Sequence, residues 1–76
     1  MSGLLCTVQV WQNEKRIGQW TVRTNSAPTL GAPIRRKVDV FVRSQVEMGH
    51  MVPGEYEMVL VVDSTGKEAQ RLKANV

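Results

Sequence analysis

The sequence predicts a two-layer α+β domain of order β-β-α-β-β, with one amphipathic helix lying across one face of a four-stranded antiparallel sheet. Three observations predict it. Four segments alternate apolar and polar residues with the period of two expected of half-buried strands. A central segment, APIRRKVDVFVRSQVEMGH (32–50), repeats its apolar residues at spacings of three and four, which is the period of a helix. Short turns rich in polar residues or glycine punctuate the strands, as antiparallel hairpins require. A helix stripe and one sheet face can then bury each other.

The first strand is LLCTVQVWQ (4–12), rich in β-branched residues. Cys6, Val8 and Val10 point one way; Thr7, Gln9 and Trp11 point the other. NEKR follows as turn material. IGQWTVRT (17–24) alternates again, setting Trp20 and Val22 against Gln19, Thr21 and Arg23. Burial fixes the register, because a slip of one residue sends every apolar side chain to the wrong face. Val8 and Val10 therefore share a face with Trp20 and Val22, and Trp11 is left outside, near Ile17 and Arg23.

NSAPTLGAP (25–33) holds two prolines and a glycine and ends the hairpin. Pro33 suits the first turn of a helix, where its missing N–H costs nothing. Thr29 is the expected N-cap, and Gly49, with Pro53 beyond it, the expected stop. Between them Ile34, Val38, Phe41, Gln45 and Met48, widened by Val42 and Val46, form one stripe. Arg35, Arg36, Asp39, Arg43 and Glu47 collect opposite. Val38, Val40 and Val42 also alternate, so a strand over 34–47, and with it a small all-β barrel, is the alternative. A strand of about fifteen residues is long against a usual length of about 5–6 and would bury Arg36 or Lys37. The helix is preferred, at the cost of placing Val40 on its polar side.

Pro53-Gly54 is a turn. In EYEMVLVV (55–62), Tyr56, Met58, Leu60 and Val62 share one face; Glu55, Glu57, Val59 and Val61 share the other. DSTG is a hairpin turn. A last strand over 68–74 places Leu72 inward and turns Lys67, Arg71 and Lys73 outward toward Glu55 and Glu57.

The 76 residues are read as one domain, 1–76, with a small core: a chain of this length buries only roughly 60% of its unfolded surface. Cys6 is the only cysteine, so no disulfide staples the chain. One Cys and one His do not make a zinc site, and no cofactor is expected. The first residues lack a basic, apolar leader pattern. No segment approaches the roughly 20 apolar residues of a membrane span. The expectation is a cytoplasmic protein without a membrane partner. The net charge of +3 is uneven. Residues 1–31 carry three basic and one acidic residue, 32–49 four and two, and 50–76 three and four. Such charge bears on partners and not on fold.

Little in the sequence suggests catalysis or a small-molecule substrate. His50 lacks an evident nucleophile and orienting partner, and Cys6 reads as a small core residue. DSTGK (63–67) lacks phosphate-loop spacing and precedes a strand. The expectation is therefore a non-enzymatic protein-interaction module that self-associates through the open sheet face. Leu5, Trp11, Ile17, Val59 and Val61 would be exposed there, with Arg23 at the rim. Contiguous exposed apolar groups mark interfaces, and tryptophan is enriched at binding hot spots. The alternative is nucleic-acid binding, with Arg35, Arg36, Lys37 and Arg43 of the helix on phosphates and Trp11 stacking on bases.

Overall fold

A computed structural model describes residues 3–76. The chain runs through β1 (Leu4–Gln12), β2 (Lys15–Thr24), α1 (Ala32–Glu47), β3 (Glu55–Val62) and β4 (Glu68–Asn75). The strands form one antiparallel sheet in the order β2-β1-β3-β4. α1 thus carries the chain from the outer strand β2 over β1 to β3. This is the predicted α+β architecture, and residues 34–47 are helix, not strand.

The first hairpin turns on Asn13 and Glu14, both with positive φ (52° and 65°). A two-residue loop of that handedness matches the twist of the strands it joins. Lys15 and Arg16 consequently belong to β2 and not to the turn, because the loop closes Gln12 directly onto Lys15. Farther along, Val10 pairs with Gly18 and Trp11 with Arg16, so Ile17 is the extra residue of a β-bulge.

α1 has Pro33 in its first turn, as expected. Its N-cap is Gly31 and not Thr29, and no side chain caps it. The C-terminus closes as a Schellman motif. Gly49 takes φ +79°, its N–H donates to the Val46 carbonyl at 3.1 Å, and the His50 N–H donates to the Gln45 carbonyl at 2.8 Å.

The core lies between α1 and one sheet face. Cys6, Val8, Val10, Val38, Val42 and Leu60 are fully buried there, joined by Leu30, Met51, Tyr56 and Met58. Registers Val8↔Trp20, Val8↔Leu60 and Met58↔Leu72 bring the predicted inward residues of all four strands together. Two inward glutamines anchor the loops at the ends of α1. Gln70 Oε1 accepts the Leu30 N–H at 2.6 Å. Gln12, only 7% exposed, accepts the Val52 N–H at 3.0 Å and donates Nε2 to the Val52 carbonyl at 2.7 Å. Among the described residues no helix is long and apolar enough to cross a membrane.

Candidate functional site

The sheet face turned away from α1 is built from alternate residues of each strand. Cross-strand pairing sorts them into rows. Arg23 lies opposite Leu5; Thr21, Thr7, Val61 and Glu68 follow; then Gln19, Gln9, Val59 and Arg71; then Arg16, Trp11, Glu57 and Lys73. Trp11, Val59, Val61 and Arg23 are therefore on the open face, as the alternation predicted.

Three placements differ from the sequence reading. Ile17 leaves the face, because the bulge turns it toward the helix side, where it packs against the core. Arg23 is not beside Trp11. Its partner is Leu5, six positions along β1 and about 20 Å from Trp11 at ~3.4 Å per residue; the cation directly opposite Trp11 is Arg16. Val59 is only 2% exposed, since the long side chains of Gln9 and Arg71 flank it on the two neighbouring strands. Leu5, at 48% exposure, is the open apolar group, with Trp11 and Val61 half-buried.

Charge divides the face. On the β3–β4 side, Arg71 Nη1 donates to Glu57 at 2.7 Å and Nη2 to Glu68 at 2.7 Å. The hydrogen bond from Arg71 holds the Glu68 carboxyl below its usual range, and its carboxylate partners push Arg71 up in turn. On the β2 side, Arg16 and Arg23 are exposed and, among the described residues, have no carboxylate partner. Cations are thus free along β2, while on the β3–β4 side Arg71 is engaged by two carboxylates. Trp11 is steadied by its Nε1–H, which donates to Gln9 Oε1 at 3.0 Å. It forms one wall of a cleft of about 620 Å³ at the end of the face, with Val52 and Pro53 as apolar neighbours and Glu14, Glu57 and Lys73 among its charged lining.

The helix cations sit on the opposite surface of the molecule. Arg43 is engaged by Asp39 at 3.0 Å. Arg35, Arg36 and Lys37 are exposed without carboxylate partners among the described residues. At ~100° per residue they fan over about 200° of the helix surface, so Arg35 and Lys37 leave on opposite flanks. Val40 lies between them and is 69% exposed.

No catalytic arrangement joins Cys6 to His50. Cys6 is fully buried mid-strand, with Sγ 3.6 Å from Thr24 Oγ1. His50 is exposed beyond α1, its Nδ1 2.9 Å from Gln45 Oε1, beside a recess that Gln12 and Lys15 also line. Gln12 lies six positions from Cys6 along β1, about 20 Å. No group of three His, Cys, Asp or Glu poised to hold a metal occurs among the described residues. Compared with protein-family models, curated proteins and solved structures, the chain has no match.

Proposed function

We propose that the protein is a small non-enzymatic interaction module whose open sheet face docks another protein. The observation that carries this reading is the cleft beside Trp11, where an aromatic wall is ringed by charges of both signs. Protein interfaces concentrate binding energy in a few aromatic side chains set in pockets, surrounded by contacts that exclude water. The face as a whole is polar, with Ile17 withdrawn and Val59 covered. That is the composition of a non-obligate docking surface, not of a sheet-on-sheet core. The free cations Arg16 and Arg23 on β2 select a partner that presents carboxylates along that side.

Nucleic-acid binding through the helix is supported less well. The three free cations diverge, so no single phosphate strand can meet more than about two of them. Phosphate contacts supply essentially all of the sequence-independent affinity, so about two of them give only weak binding.

The test compares immobilised wild-type protein with Trp11→Asp and with an Arg35→Glu, Arg36→Glu helix variant. A captured protein is purified and its affinity measured directly. Loss with Trp11→Asp and retention with the helix variant supports the reading, provided circular dichroism shows both variants folded. An affinity unchanged by Trp11→Asp refutes it.

A further inference from the structure

The two outer strands of the sheet are protected very differently. β4 carries Glu68, Arg71 and Lys73 within eight residues. A register break between Leu60 and Val61 disturbs its pairing, and paired backbone bonds between Gly54 and Val76 close the chain just beyond its end. Charges and bulges of this kind stop an edge from pairing with another chain. From Gly18 to Thr24, β2 has none of these devices apart from Arg23. It contains no proline, its only register shift falls before Gly18, and its pairing with β1 is regular. Trp20 and Val22 on this edge face the helix side yet remain only half-buried, although the Phe41 ring packs tilted against Trp20, centroids 5.3 Å apart and planes at 55°. A bare edge bordered by half-covered apolar side chains lacks a neighbouring strand.

We propose that the neighbour is β2 of a second copy, paired antiparallel about a two-fold axis at Thr21. The sequence of β2 is complementary to itself in that register. Trp20 faces Val22 of the other copy, and Val22 faces its Trp20; aromatic and β-branched residues are favourable cross-strand partners. Gln19 faces Arg23, Gly18 faces Thr24, and no two like charges oppose each other. Shifting the pairing by one residue would set inward side chains against outward ones. Moving the two-fold to Trp20 brings the Ile17 bulge opposite Arg23. Moving it to Val22 runs Gln19 past the end of the strand. Only the axis at Thr21 pairs all seven residues of the regular edge. The product is one eight-stranded sheet with both helices on the same side, and the two open faces join into one surface. This goes beyond the docking role of Trp11, which lies on β1 and away from the edge.

Engineered cysteines and sedimentation test the pairing. Thr21 is exposed and would sit opposite its own copy, with Cβ atoms about 4.5–5.5 Å apart, close enough for a disulfide with slight adjustment. Under mild oxidation with glutathione, Thr21→Cys should give a covalent dimer at least tenfold faster than Gln19→Cys, whose two copies would lie four residues apart. Cys6 is buried and supplies the unreactive background. Thr21→Lys, which sets two lysines face to face, should sediment as monomer at concentrations where the wild type and Trp11→Asp are dimers. Equal cross-linking at residues 19 and 21, or a wild-type mass that stays monomeric up to millimolar concentration, overturns the proposal. So does a Thr21→Lys mass equal to that of the wild type. Survival of the dimer in Trp11→Asp keeps this outcome separate from that of the open-face reading.

Discussion

The Phe41 ring stands on Gly18. A Cβ at residue 18 would lie 2.6 Å from the ring Cζ and 3.3 Å from both Cε atoms. The absence of a side chain there lets the ring settle on β2 beside Trp20, which ties the helix to the outer strand.

Gly18→Ala should therefore destabilise the fold, by about 1–3 kcal/mol, the usual cost of overpacking a core site. In a Phe41→Leu background the same change should cost much less. Urea denaturation of the four variants gives the coupling energy, expected at about 0.5–3 kcal/mol for groups in contact. Strictly additive effects would show that the ring does not depend on the glycine.

Gln12 is the second inward position at which side-chain identity is constrained. Its amide satisfies both backbone groups of Val52 and also donates to the Glu55 carbonyl at 3.3 Å. Gln12→Leu keeps the volume and removes every one of these bonds. These part-buried hydrogen bonds each contribute about 0.5–1.5 kcal/mol net, so a loss of about 2 kcal/mol is expected. The amide of Val52 should also exchange with solvent faster than in the wild type. A variant as stable as the wild type, with Val52 still protected, would show that the loop is held by other contacts.

Most of the fold is legible in the sequence because two periods act on it separately. Over residues 34–47 both an alternation and a helical repeat are present. The flanks decide between them: Pro33 fits a first turn and Gly49 supplies the positive φ that a helix end favours. Gln12 was missed as an inward residue, although the signal was present: it shares the parity of Cys6, Val8 and Val10, and a polar side chain at an inward position requires partners. The placement of Ile17 was not legible. The Asn13–Glu14 turn fixes Gln12 on Lys15, while Val10 pairs with Gly18. Two steps on β1 then face three on β2, and one residue must bulge. That mismatch depends on the turn type and on the helix contact at Gly18, neither of which is visible in a pattern of alternation. Val59 shows a similar limit: the period of two assigns its face, but the polar neighbours that cover it come from the strand order.

Tyr56 is the only tyrosine, so its ionisation can be followed by absorbance without interference from another. Burial pushes its pKa above the ordinary 10.0, nearby Asp39 pushes the same way, and Arg43 opposes. The folded state therefore holds the phenolic proton more tightly than the unfolded chain does. The stability linked to this group is fully present below pH 10 and is lost as pH rises through the folded pKa. The phenolate midpoint should lie above 10 in the native protein and return to the ordinary value in urea. Asp39→Asn should lower the native midpoint and Arg43→Ala should raise it. A native midpoint at or below the denatured one would contradict the burial.

Oligonucleotide titration measures how many helix cations act together. With Arg35 and Lys37 on opposite flanks and Arg43 engaged by Asp39, about two cations can follow one strand. The expected slope of log affinity against log salt is then about −1.4 to −1.8, at ~0.7–0.9 per phosphate. Affinity should fall only about tenfold between 50 and 200 mM salt, from an already weak starting point. Arg36→Ala, central to the fan, should reduce the slope by close to one phosphate, and Arg43→Ala should leave it nearly unchanged. A slope of −5 or steeper would require cations from β2 as well, and would replace the protein-docking reading with a nucleic-acid path that wraps both faces of the molecule.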